Sequence, residues 1–371
     1  MKYLLINSVC GIGSTGRICA EIAQALENQG HEVRIAYGRS AGVPQNAARY
    51  AVRIGSGLHV RLHALASRLL DCHGFGSRLA TKRFLRWVEE YDPDVLWLHN
   101  IHGYYINIEL LFRWIKSRPQ MQVKWTLHDC WAFTGHCTHF SYAKCDKWKT
   151  GCKDCPQKNQ YPASLLMDRS EENYRRKKEL FTGVKNMSLI VPSNWLAGLV
   201  KQSFLQSYPV EVRYNTVNTS VFKPTESDFR QRHGLENKFI VLGVASVWDR
   251  RKGLDDFIEL SKRLDDRFRV VLVGLNKKQL AALPENVLGI GHTDSPEELA
   301  AIYTAADVFV NPSREESFGL TTLEAEECGT QTIVYKDTAC EEVAGLYGGI
   351  VAESSVDALE AAIIAFERSI R

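Results

Sequence analysis

Residues 307–335 read DVFVNPSREESFGLTTLEAEECGTQTIVY, and the change of pattern inside this stretch decides the fold. Asp307-Val308-Phe309-Val310-Asn311 is a short apolar run rich in β-branched residues, which suits a buried strand, and Pro312-Ser313 ends it. From Gly319 the apolar residues Leu320, Leu323 and Cys328 recur at the spacing of one helical face, and Gln331–Tyr335 reads as a strand again. Strand, loop, helix and strand in that order belong to an α/β protein. Glu316 therefore falls in a loop and Glu324 on a helix.

A helix that follows a strand presents unpaired backbone N–H groups and the positive end of its dipole, which suits a phosphate. Here those amides are Phe318, Gly319 and Leu320, with Ser317 just before them. Glu316 precedes them and Glu324 follows, so the two carboxylates can bracket one elongated ligand, and a nucleotide sugar has that shape. Glu324 would accept from vicinal ribose hydroxyls and Glu316 from hydroxyls of the sugar. The alternative is a solvated acidic face, to which Glu315, Glu326 and Glu327 would also belong. The string Glu-Ser-Phe-Gly-Leu-Thr-Thr-Leu-Glu at 316–324, followed by Ala325 and Cys328-Gly329-Thr330, resembles the E-x7-E signature of the retaining GT-B-fold glycosyltransferases of family four. Many members continue Gly-Thr-Pro where this chain has Gln331.

That resemblance implies two Rossmann-like, doubly wound α/β domains facing a central cleft. Residues 1–208 would be the acceptor-side domain, with a cysteine-rich loop at 130–160. Residues 209–355 would bind the nucleotide diphosphate sugar, and a helix at 356–371 would pack back on the first domain. The implied reaction is metal-independent hexosyl transfer with retention of configuration, onto a saccharide or lipid-linked saccharide acceptor. Bacterial cell-surface polysaccharide assembly is the implied setting, and no cofactor takes part in the chemistry.

Composition agrees with two domains: 371 residues, 45% of them hydrophobic, give each its own core. No stretch approaches the roughly 18 apolar residues of a membrane span, and Asn7 cuts short the N-terminal Leu4-Leu5-Ile6, so a cytoplasmic protein is expected. Net charge is +3 but uneven, with 28 Lys+Arg against 16 Asp+Glu up to residue 208 and 18 against 27 beyond it. A basic first half suits nucleic acid, anionic lipid or a phosphorylated acceptor. The basic, helical stretch from Leu58 to Glu90, divided by Gly74 and Gly76, would lie on the inner face of the cytoplasmic membrane or form a solvated face.

Lys2–Ser8 reads as a strand, and Gly11-Ile12-Gly13-Ser14-Thr15-Gly16 leads into a helix with a stripe of Ile18, Ile22, Ala25 and Leu26. This is G-x-G-x-x-G, yet the second strand ends in Gly38-Arg39 without the acidic residue that holds a ribose, which disfavours NAD and leaves NADP open. By resemblance Gly13, Ser14, Thr15 and Gly16 lie near the donor phosphates. Asp92-Pro93-Asp94 spells DxD, but it precedes the strand Val95–His99 and reads as strand entry, not a metal site. His99, Asn100 and His102 cluster at that strand's carboxyl end, where open α/β sheets bind ligands, and are acceptor candidates. The strand Gln122–Leu127 ends in His128-Asp129; by resemblance His128 faces the transferred sugar. Trp131 and Phe133 would either stack on a sugar or fill the core.

Cys137, Cys145, Cys152 and Cys155 fall in one loop, and four thiols in a cytoplasmic chain suggest a structural zinc, with free or redox-active cysteines as the alternatives. Further on, Trp248-Asp249-Arg250-Arg251-Lys252-Gly253 places cations between a strand and a helix, where they can neutralise a diphosphate leaving group without metal. By resemblance Lys252 has this role; Val247 stands where the family's arginine usually does, so Arg251 or Arg250 would substitute. By resemblance the backbone near Gly291 and His292 would meet the base. Two rivals remain: an NADP-dependent oxidoreductase built on G-x-G-x-x-G and Arg39, and a nucleic-acid-binding module built on the basic half. The first leaves Glu316 and Glu324 without a role, and the second lacks a basic stripe interleaved with aromatics, so no nucleic-acid partner is expected.

Overall fold

The computed structural model describes residues 1–39 and 42–370. The chain forms two compact units, Met1–Arg213 and Tyr214 to the C-terminus. The first holds the strands β1 (Lys2–Asn7), β2 (Glu32–Tyr37), β3 (Ala51–Arg53), β4 (Val95–Leu98), β5 (Gln122–Thr126), β6 (Met187–Val191) and β7 (Val210–Val212). They make one sheet in the order β3-β2-β1-β4-β5-β6-β7, every pair parallel. The second holds β8 (Phe239–Val244), β9 (Phe268–Val273), β10 (Val287–Ile290), β11 (Val308–Asn311), β12 (Gln331–Tyr335) and β13 (Ile350–Ala352), again all parallel, in the order β10-β9-β8-β11-β12-β13.

Parallel sheets need both faces covered, so their strands read as continuous apolar runs. Along β1, Leu4 and Ile6 enter one core with Leu96, Leu98 and Trp125, while Tyr3 and Leu5 enter another with Val33, Ile35 and Trp97. The second sheet does the same, with Val241, Val270, Val308 and Ile333 on one face and Leu242, Val271 and Phe309 on the other. Fully burying each such side chain contributes on the order of 1.5–3 kcal/mol. Among the described residues no helix is long and apolar enough to cross a membrane.

Three expectations shift. The first unit runs past residue 208, because Val210–Val212 pairs with β6 as the edge strand β7. The C-terminal helix, Val356–Ser369, belongs to the second unit: Leu359 and Ile363 are buried in the core with Ile333 and Tyr335, so its apolar face is already used there. The helix Gly13–Asn28 is rotated from the expected stripe, burying Gly16, Cys19 and Ala23 and leaving Ala25 exposed. The cause is close packing at Gly16, where an added Cβ would lie 3.0 Å from Val9 Cγ2.

Candidate active site

In the second sheet the chain leaves the adjacent strands β8 and β11 toward opposite edges, β9 and β10 on one side and β12 and β13 on the other. Such a switch point opens a crevice at the strands' carboxyl ends. After β8, the Asp249 carboxylate accepts from the Lys252 N–H at 2.9 Å and caps the short turn Arg250–Lys252. Gly253 follows with φ +75°, and an added Cβ there would lie 2.5 Å from Pro312 Cγ, so glycine lets this turn seat against the loop after β11. Arg314 N–H donates to the Arg251 carbonyl at 2.9 Å, Arg251 Nη1 donates to the Glu315 carbonyl at 3.0 Å, and Lys252 Nζ donates to Glu316 Oε2. Arg251 is thus drawn into the loop pair, whereas Arg250 is largely exposed beside Asp255.

Gly319 precedes the helix Leu320–Glu327 with φ +95°, and an added Cβ would lie 2.8 Å from Cys340 Sγ. Asn311 Nδ2 donates to Thr322 Oγ1 at 3.0 Å and fastens the helix to the end of β11. Glu324 is half-buried and accepts from Tyr303 Oη at 3.0 Å. Burial and the neighbouring Glu324 push the Tyr303 phenol well up, which keeps it a donor. In the same loop, Arg314 grips Asp256 with two contacts, 2.8 and 3.0 Å, and Asp256 accepts from Tyr335 Oη at 3.0 Å. Of the neighbouring acids, Glu315 is fully buried, and burial pushes Glu326 up to about 6 while Thr332 Oγ1 donates to it. His292 lies exposed just beyond β10, with Gly291 half-buried before it.

In the first sheet the switch point lies between β1 and β4. Gly13 after β1 has φ +63° and open space where a Cβ would stand; Gly13 and Ser14 are exposed, and Thr15 Oγ1 receives Asn7 Nδ2 at 3.3 Å. After β4 and β5 the histidines converge. His99 Nδ1 and His128 Nε2 are 3.1 Å apart with stacked rings, and Asn100 N–H donates to Asn7 Oδ1 at 3.2 Å. His102 Nε2 lies 2.9 Å from Asp129 Oδ2, while Asp129 Oδ1 accepts from the Trp131 N–H at 2.8 Å. A small cavity is lined by His99, Asn100, His102, His128, Asp129 and Trp131. Burial pushes His128 down to about 4, so its imidazole is neutral at pH 7. Burial alone would raise Asp129, but the charge and hydrogen bond of His102 hold it down at about 2.

Trp131 is corrected as a sugar-stacking wall. It is 1% exposed, and the buried Lys177 ammonium sits 3.6 Å from its ring centroid while donating to the carbonyls of Trp131 and Thr134. Phe133 is likewise core. Sequence reasoning missed Tyr303, Arg314 and Lys177, each a polar side chain on a helix or loop whose partner lies far along the chain.

The cysteines of the loop act on one another: Cys155 and Cys152 both help to raise Cys137, and on top of burial Cys155 and Cys145 help to raise Cys152. Cys137 and Cys152 are buried, the Cys137 and Cys155 thiols are hydrogen-bonded to each other, and Gly135 N–H donates to Cys152 Sγ at 3.2 Å. Cys145 is half-buried. Among the described residues no group of three or more His, Cys, Asp or Glu side chains is placed to hold a metal ion. No step of the chemistry below uses these thiols.

Two doubly wound parallel sheets, each with its polar cluster at a switch point, give the chain the GT-B fold, and solved structures agree on it. Sucrose-phosphate synthase from Thermosynechococcus elongatus matches with a TM-score of 0.72 at 17% identity, covering 99% of this chain and 90% of that one. Anabaena HepE, in complex with UDP and glucose, matches with a TM-score of 0.66 at 15% identity, covering 100% and 90%. Residues 15–221 match the family described as Glycosyltransferase Family 4, and residues 225–369 the one described as Glycosyl transferases group 1. The chain belongs to glycosyltransferase family 4. Among its relatives is the "Putative colanic acid biosynthesis glycosyl transferase WcaC" of Escherichia coli K12, 24% identical over 94% of this chain and 86% of that protein. Another is the O-antigen chain mannosyltransferase RfbU of Salmonella typhimurium, 30% identical over 36% of this chain and 39% of that protein.

Proposed function

We propose that this glycosyltransferase moves a hexosyl group, with retention of configuration and without metal, from a nucleotide diphosphate sugar to a saccharide or lipid-linked saccharide acceptor in bacterial cell-surface polysaccharide assembly. The observation that carries the reading is the joining of Lys252 and Arg251 after β8 to Glu316 and Glu315 after β11, directly before the N-terminus of the helix that carries Glu324. Cations and free helix amides at one point suit a departing diphosphate. Lys252 and Arg251 stabilise its charge, Glu316 orients the sugar, and Glu324, set by Tyr303, holds the ribose. His128, neutral, offers a hydrogen bond to the transferred sugar. His99, Asn100, His102 and Asp129 form the acceptor side, with Gly13 to Gly16 near the donor phosphates. Relatives named for polysaccharide and O-antigen synthesis support the setting, and the Anabaena protein solved with UDP and glucose supports the donor class. The oxidoreductase alternative has no support beyond the Gly11–Gly16 turn and Arg39.

The test is transfer from a panel of nucleotide sugars, with the anomeric configuration of the product read by NMR. Retained configuration and full activity on brief exposure to EDTA are expected. Inverted product, or immediate loss restored by magnesium or manganese, would contradict the reading.

A further inference from the structure

Trp131 is buried and offers no platform to a sugar, yet an open aromatic ring does stand beside the acceptor candidates. Tyr161 comes from the loop beyond Cys155, and its ring is 43% exposed while its hydroxyl end turns into the protein. Asp129 holds His102 Nε2 at 2.9 Å, and His102 Nδ1 faces Tyr161 Oη at 3.4 Å. The rings of His73 and Tyr104 stand nearly perpendicular to that of Tyr161, with centroids 5.8 and 6.2 Å away, so they fix the ring without covering it. The backbone is fastened as well. Ser164 N–H donates to the Lys158 carbonyl at 2.8 Å and closes the turn that carries Tyr161, and Leu165 N–H donates to the Arg68 carbonyl at 2.7 Å, near the end of the helix Gly57–Leu70. A held, exposed ring with polar groups beside it suits the C–H face of a saccharide.

A cation shares this corner. Arg39 lies exposed just past β2, its N–H donating to the Ser8 carbonyl at 2.8 Å. Its side chain passes Gly103, where an added Cβ would lie 3.4 Å from Arg39 Cδ. Gly103 has φ +111°, and Tyr104 after it has φ +70°, a left-handed conformation that is costly for a bulky residue and gathers at ligand sites. That turn sets the Tyr104 ring 4.6 Å from His73. Burial raises the Tyr104 and Tyr161 phenols, and the charge of Arg39 works the other way on both, which places the guanidinium beside the two rings. Among the described residues Arg39 has no carboxylate partner, and Asp129, the acid of this corner, is engaged by His102 and the Trp131 N–H. A planar guanidinium left open to solvent suits a carboxylate or phosphate. We infer that the acceptor is an acidic saccharide, its ring laid on Tyr161 and its anionic group paired with Arg39. The inference rests on the acceptor-side reading of His102 and Asp129 and makes Tyr161 and Arg39 specificity residues.

The test is titration of the full chain, with nucleoside diphosphate present in excess to fill the donor side, with methyl hexoside, methyl hexuronide and hexose 6-phosphate of the gluco and galacto series, read by saturation-transfer NMR. At least one anionic probe should bind on the order of tenfold more tightly than its neutral counterpart, and the carboxylate and phosphate arms tell which group is read. Arg39→Gln should erase that preference and leave the neutral probe's affinity as it was. Tyr161→Leu should weaken all probes by roughly threefold to tenfold, whereas Tyr161→Phe, which keeps the ring, should retain most of the affinity. Thermal melts of the three variants should match the parent, since both side chains are exposed. Equal affinity for neutral and anionic probes, a preference that survives Arg39→Gln, parent-like binding in Tyr161→Leu, or binding of none of the probes would overturn the inference. Failure of the donor reading would show separately, as a parent protein that binds no nucleoside diphosphate, and none of these variants should alter that binding.

Discussion

Lys252 and Glu316 stand far apart in sequence and share one hydrogen bond, so neither acts alone. Removing Lys252 takes a cation away from a half-buried carboxylate, and removing Glu316 frees the ammonium from its position. Lys252→Ala, Glu316→Ala and the double variant should therefore be strongly non-additive in kcat, the double costing little more than the worse single. Costs that simply add would mean the two side chains work independently. Tyr303→Phe removes the donor that orients Glu324 and should weaken nucleoside diphosphate binding by roughly threefold to tenfold, the effect of one hydrogen bond, with stability little changed. Calorimetry showing equal affinity would assign Tyr303 to packing alone.

At the scale of the element, the loop-helix unit after β11 depends on one left-handed residue. Gly319→Ala meets both the positive φ and the Cys340 sulfur, so it should lower stability by about 1–3 kcal/mol and weaken diphosphate binding together. Loss of stability with unchanged binding would show that the helix N-terminus does not meet the ligand. This unit was legible in the sequence because each part leaves a local trace: β-branched run, Pro-Ser break, glycine, helical period. The edge strand β7 left almost none, since Val210-Glu211-Val212 is too short to show a period. The rotated helix Gly13–Asn28 was misread because small residues, Gly16, Cys19 and Ala23, pack closest to the sheet, while hydrophobicity pointed to Ile18 and Ala25. The His99–His128 and His102–Asp129 pairs join two strand ends; the strand ends were legible, but the pairing was not.

At the scale of the whole molecule, the response of the first unit to acid follows from its buried histidines. Burial lowers His63 to about 4 and holds His73 and His99 well below the ordinary range, all in the first unit. For His136, burial also works downward, but the hydrogen bond and charge of Asp71 outweigh it and raise the group. A histidine whose folded pKa is depressed contributes stability that is complete above its unfolded pKa and is lost as pH falls toward the folded value. The first unit should thus weaken between about pH 6.5 and 4, with His63 alone accounting for about 2 kcal/mol by pH 5. Seven of the eight tryptophans lie in that unit, so denaturant titrations followed by tryptophan fluorescence report it, and His63→Gln should flatten the dependence. A flat profile in the parent would contradict the burial of neutral imidazoles. The most direct test of the whole account concerns the two carboxylates that bracket the helix N-terminus: titration of free nucleoside diphosphate, and turnover, in Glu316→Ala and Glu324→Ala. Glu324→Ala should lose on the order of tenfold to a hundredfold in diphosphate affinity, whereas Glu316→Ala should bind the diphosphate nearly as the parent does and lose turnover. Parent-like binding and turnover in both variants would contradict the assignment of this site as the donor site.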